Sequence, residues 1–110
     1  MVSLADETRL VVKVIEGTPP RGTENSAYWD ICSVQDIELS PESTTILGTG
    51  LYLEIPEGYG LLLLSRSKLA QEGITVSGGV IDDNTRGQIQ VLPHNSTRRS
   101  KRVQNSERIA

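Results

Sequence analysis

Asp82 is the residue of this chain best placed to act as a base. It follows Gly78-Gly79-Val80-Ile81, so its carboxylate comes after two apolar residues and can sit partly desolvated, ready to take a proton from water. The two glycines let a backbone approach a planar ligand closely and read it through main-chain groups. The continuation Asp83-Asn84-Thr85-Arg86-Gly87 is also good turn chemistry, which needs no catalytic meaning. A second candidate is Ser65-Arg66-Ser67, where an apolar run gives way to a helical turn. Unpaired N–H groups and the local dipole favour an anion there, such as phosphate, and Arg66 adds a forked donor and Ser67 a hydroxyl. The plainer alternative is a surface ion pair, with Ser67 capping the turn. The third candidate is Asp30, which interrupts an apolar stretch and is either aimed at a cleft or turned to solvent.

Residue counts narrow the chemistry. The chain has one cysteine, Cys32, and one histidine, His94, among 110 residues. An internal disulfide, a thiolate zinc site and a His-rich metal site are therefore excluded. Any metal would need oxygen ligands, which points to Mg²⁺ held largely by a substrate. Cys32 reads as a small core hydrophobe and His94 as a structural residue. This cysteine usage fits a reducing compartment, giving an intracellular expectation, cytoplasmic or nuclear. No run reaches the roughly 20 apolar residues that a membrane helix needs, so no membrane partner is expected.

Charge is uneven along the chain. Residues 1–97 carry 13 acidic and 6 basic groups, whereas residues 98–110 carry 1 and 5. A general nucleic-acid binder would show a broader basic face. Any such function is confined to Arg98, Arg99, Lys101 and Arg102, which read either as a solvated loop in a hairpin connection or as a nucleic-acid patch.

The elements that must position these groups are short strands. β-Branched or alternating runs predict strands over 10–16, 27–33, 35–39, 44–55, 59–64, 88–92 and 103–109. The unbroken leucines within 59–64 suggest burial on both faces. Residues 67–72 form the one helical turn, with Ser67 as N-cap and Gly73 as the stop. Residues 74–76 and 80–82, joined by Ser77-Gly78-Gly79, suggest a hairpin. About nine elements at roughly 8–12-residue spacing describe a single all-β domain, a sandwich, jelly roll or barrel. Residues 1–8 are expected to be a flexible N-terminus.

Taken in order, Ala27-Tyr28-Trp29-Asp30-Ile31, Ser65-Arg66-Ser67-Lys68-Leu69-Ala70, Gly79-Val80-Ile81-Asp82-Asp83-Asn84-Thr85-Arg86-Gly87 and Glu107-Arg108-Ile109-Ala110 resemble motifs one to four of the trimeric dUTPase family. The resemblance covers about residues 9–110. It implies a distorted jelly roll of the β-clip type that forms a homotrimer with active sites at subunit interfaces, and Mg²⁺-dependent hydrolysis of dUTP to dUMP and pyrophosphate. It further implies that Asp82 orients and deprotonates the attacking water, while Arg66 and Ser67 hold the phosphate chain. Asp30 would steer the waters around Mg²⁺, and Gly78, Gly79, Val80 and Ile81 would read the uracil edge.

Several positions depart from the family pattern. Thr85 stands where the family places a Tyr against the deoxyribose, and Lys68 replaces a Gly beside the phosphates, where it either adds a cation or obstructs close approach. Tyr28 replaces a Gly beside Asp30. The fourth motif reads Ser106-Glu107-Arg108 rather than Gly-Asp-Arg, and the glycine-rich fifth motif is not among these 110 residues. The expectation is a dUTPase-related domain with weak or no activity, serving as a trimeric structural or interaction module of the kind embedded in retroelement polyproteins. The alternative is an active enzyme whose C-terminal arm lies outside this stretch. A deoxycytidine triphosphate deaminase is disfavoured by Gln71, where that branch carries an Arg.

Overall fold

The computed structural model describes residues 11–14, 17, 19–20, 22 and 29–110. The expected flexible N-terminus and Tyr28 lie outside the described residues. Among the described residues, ten short strands and one helical turn form an all-β distorted jelly roll. β1 (Val11–Val14) pairs antiparallel with β5 (Leu51–Glu54), and β2 (Ile37–Leu39) pairs with β10 (Lys101–Val103). β9 (Gln90–Asn95) is the hub, with β7 (Ile74–Ser77), β3 (Ser43–Thr44) and β4 (Leu47–Gly48) all pairing to it. β6 (Gly60–Leu62) and β8 (Val80–Asp82) make a separate two-stranded ribbon.

The expected strand over 44–55 is divided into pieces, and Pro93 accounts for the first break. Pro93 gives its carbonyl to the Thr45 N–H at 3.0 Å but has no N–H to return. The edge opposite it therefore lapses between β3 and β4. The second break is held by buried Thr49, whose hydroxyl donates to the Ile89 carbonyl at 2.6 Å and accepts from the Leu51 N–H at 3.2 Å. β5 then begins with Leu51, fully buried.

Other expectations change for equally local reasons. Segments 74–76 and 80–82 are not hairpin partners, because β7 joins β9 while β8 joins β6. The basic stretch at 98–102 likewise does not close a hairpin, since β10 leaves β9 to pair with β2. Within 27–33, no named strand occurs among the described residues. Instead, residues 31–33 zip to the chain end: Ile109 N–H donates to the Ile31 carbonyl at 2.8 Å, and Ser33 N–H to that of Glu107 at 2.8 Å.

The core joins Leu39, Leu47, Leu51, Val91 and Val103, all at 1% exposure or less. Each such side chain contributes roughly 1.5–3 kcal/mol by leaving water. Buried Asn95 organises a loop. Its Nδ2 donates to the carbonyls of Leu39 and Arg99, and its Oδ1 accepts from the backbone N–H and hydroxyl of Thr97. His94, beside it, shares a 2.9 Å hydrogen bond with Thr44 across the β3–β9 pair. Cys32 is completely buried, as a core hydrophobe would be.

Candidate active site

The site residues are carried on the β6–β8 ribbon and on the turn that follows it. The leucines of 59–64 alternate rather than bury both faces: Leu61 and Leu63 point into the core, whereas Leu62 and Leu64 are 44% and 52% exposed. Leu62 faces Val80 in register and Gly60 faces Asp82. Residues two apart share a sheet face, so Asp82 lies on the same outer face as Val80, Leu62 and Leu64 and is exposed, not partly desolvated as the preceding apolar residues suggest. Val80 is 76% exposed, which makes this face an apolar stripe with a carboxylate at one end.

Gly79 is required by the ribbon itself. Leu63 N–H donates to the Gly79 carbonyl at 2.8 Å, and a Cβ on Gly79 would stand 2.2 Å from the Leu63 oxygen. Gly78 turns the chain with φ of +60°, which a side chain tolerates poorly. At the far end, Asp82 begins a tight turn closed by the Thr85 N–H on the Asp82 carbonyl at 3.2 Å.

The opposite end of the ribbon carries Arg66. Ser65 fixes the junction by accepting the Val76 N–H on its hydroxyl at 2.8 Å. The helical turn α1 (Ser67–Gln71) then starts, with Arg66 rather than Ser67 as its N-cap residue and without a side-chain cap. Among the described residues the Ser67 hydroxyl therefore remains uncommitted, and Lys68 is exposed beside it. Gly73 ends the turn with φ of +85°, as expected.

Asp30 meets this junction from the other side. Its Oδ1 lies 3.9 Å from Arg66 Nε and its Oδ2 lies 3.3 Å from Arg108 Nη1. Asp30, Ser65, Arg66 and Ser67 form the polar end of a cleft of about 450 Å³ whose other lining residues are apolar, the leucines of 61–64, Leu51, Leu53 and Trp29 among them. Arg108 is the member that site reasoning from the sequence passed over. It was visible as part of the fourth motif, but only the pairing of Cys32 with Arg108 brings it beside Asp30.

Asp82 and Arg66 are not brought together within one chain. β6 ends at Leu62, and Arg66 is itself extended, with φ and ψ of −73° and 135°. Arg66 is six positions on from Gly60, opposite Asp82, a span of up to roughly 20 Å at about 3.3 Å per residue. The basic stretch gathers its own counter-charges: Lys101 lies 3.5 Å from Glu72, and Arg102 faces Glu38 in register. Arg98 and Arg99 are exposed.

Residues 17–110 match the family model described as dUTPase. The chain belongs to the dUTPase family. It is 36% identical over 104 residues to the deoxyuridine 5'-triphosphate nucleotidohydrolase of Paramecium bursaria Chlorella virus 1, covering 92% of this chain and 74% of that protein. Against three further curated dUTPases it spans 67%, 64% and 58% of their lengths. Among solved structures, the dUTPase of Staphylococcus bacteriophage 80alpha superposes with a TM-score of 0.83 at 25% identity, over 93% of this chain and 86% of that one. A dUTPase from phage phi11 of S. aureus, which coordinates a structural Mg(II) ion, matches at 0.82 and 20% identity, over 93% and 86% of the two chains. These likenesses agree with the jelly roll built above from its strands.

Proposed function

We propose that this chain hydrolyses dUTP to dUMP and pyrophosphate at sites shared between copies of a homotrimer. The observation that carries the reading is the placement of Asp82 on an exposed apolar face of the β6–β8 ribbon, while Arg66 and Ser67 lie beyond the end of β6. A second copy laid on Leu62, Leu64 and Val80 covers that face and can bring its own Arg66 junction to Asp82. Neither half can hold phosphates and activate water alone.

In the shared site, Arg66 and Ser67 bind the phosphate chain and Lys68 adds a cation. The Gly78-Gly79-Val80-Ile81 segment reads the uracil edge through its backbone. Asp82 orients a water and accepts its proton as the water oxygen bonds to the α-phosphorus. The bridging bond breaks and pyrophosphate leaves with its electron pair. Charge stabilisation at the phosphates by Arg66 and Lys68 supplies much of the rate.

The donor set fits Mg²⁺ held mainly by substrate. No cluster of three or more His, Cys, Asp or Glu residues able to hold a metal occurs among the described residues. Asp30 has both oxygens near guanidinium groups, yet its side chain is 33% exposed, leaving lone pairs for metal-bound water. When bound, the ion neutralises phosphate charge.

A second reading is favoured by one observation. The Thr85 hydroxyl is turned onto Asp82 at 3.2 Å, and Thr offers no flat surface to a sugar. Weakened nucleotide hold would leave a slow enzyme or a trimeric interaction module. Pyrophosphate release from dUTP and Mg²⁺, lost in Asp82→Asn, supports the enzyme. Absence of both turnover and binding of a non-hydrolysable dUTP analogue by calorimetry supports the module.

A further inference from the structure

We propose that Thr85 is a positioning residue for Asp82, an inference that rests on the hydrolase reading above. Two donors converge on one carboxylate oxygen: the Asn84 N–H reaches Asp82 Oδ1 at 3.0 Å and the Thr85 hydroxyl reaches the same atom at 3.2 Å. Among the described residues nothing donates to Oδ2. A carboxylate is nearly two-fold symmetric about its last torsion and can present either oxygen. Donors on Oδ1 remove that degeneracy and leave Oδ2 as the oxygen that takes the water proton.

The hydroxyl is not needed to hold the turn. The Thr85 backbone N–H already closes it on the Asp82 carbonyl at 3.2 Å. Arg86 braces it further, its Nη1 donating to the carbonyls of Asp83 and Thr85 at 3.1 Å each. The neighbouring Asp83 carboxylate is engaged elsewhere, accepting the Gly58 N–H at 2.7 Å, so it does not compete for the hydroxyl. β-Branching limits the Thr85 side-chain torsion and so pre-aims its oxygen. Opposite, Gly60 presents no side chain to crowd the carboxylate.

The experiment compares steady-state dUTP hydrolysis with Mg²⁺ for the unaltered chain, Thr85→Val, Thr85→Ala and Thr85→Ser. Thr85→Val is expected to lower kcat about ten-fold and leave KM within about two-fold, because a charge-assisted hydrogen bond to the base is lost. Thr85→Ala reproduces the loss without the added methyl, and Thr85→Ser restores kcat to within about three-fold by returning the hydroxyl. The inference is overturned by unchanged kcat in Thr85→Val, by an increase in KM alone, or by a Thr85→Ser variant as slow as Thr85→Val. Absence of turnover in the unaltered chain overturns the hydrolase reading itself. Turnover that is indifferent to Thr85 overturns only the positioning role.

Discussion

Asp30 and Arg108 lie 3.3 Å apart, joining the segment that begins the described core to the last residues of the chain. Arg66 approaches the same carboxylate from the end of the ribbon, at 3.9 Å, and its Nη1 reaches the Arg108 carbonyl at 3.5 Å. One carboxylate thus stands between two guanidinium groups, of which Arg66 lines the cleft. Their aim, rather than their worth as ion pairs, is what an anionic substrate would use.

Arg108→Ala should therefore separate activity from stability. The partners are 46% and 33% exposed, so the pair contributes less than about 1 kcal/mol to folding. Loss of the second guanidinium should lower kcat/KM for dUTP by about ten-fold or more. Pyrophosphate release and thermal unfolding measure the two effects. A large fall in melting temperature with unchanged kcat/KM would contradict this assignment.

Mixing two inactive variants should restore turnover. If Arg66 and Asp82 meet only across copies, Arg66→Ala and Asp82→Asn chains unfolded and refolded together should yield about one quarter of the normal sites. Each variant refolded alone should remain inactive. A mixture as inactive as its components would mean that a single chain supplies both groups.

The apolar stripe gives a prediction about assembly. Leu62→Glu together with Val80→Glu places two carboxylates on the exposed face without touching Leu61 or Leu63 behind it. Light scattering should then report a 12.0 kDa species in place of one three times heavier, and circular dichroism should keep its β-sheet signature. Unchanged mass would show that this face is not where copies meet.

Much of this architecture was legible in the sequence. Gly73 stopped the helical turn where expected, and alternation within 51–55 announced β5. What single segments could not reveal was pairing, because strands 74–77 and 80–82 read as a hairpin until β9 and β6 compete for them. Nor does the leucine run announce its own exposure. Leu62 and Leu64 have the composition of core residues, yet they stand on the outer face of the ribbon. Arg108 escaped notice as a site residue because its partner Asp30 is 78 positions away and the two meet through the closing segment.

Asn95 shows a structural role that spacing alone does not suggest. Its side chain makes four hydrogen bonds, two given and two received, tying β2 and the 97–99 loop to the end of β9. Asn95→Ala leaves the Leu39 and Arg99 carbonyls without these donors and should cost about 3 kcal/mol. Urea unfolding would measure it, and a change below about 1 kcal/mol would mean that water replaces the amide.

The length of the β6–β8 ribbon also has a dosage consequence. If Arg66 and Asp82 meet only across copies, a chain altered at both, co-assembled with unaltered copies, would spoil two reaction centres per subunit, whereas a single alteration would spoil one. At equal amounts the doubly altered chain would leave about a quarter of the centres working, and either singly altered chain about half. Inheritance of such an allele beside a normal one would therefore depress output by more than its share of the protein made.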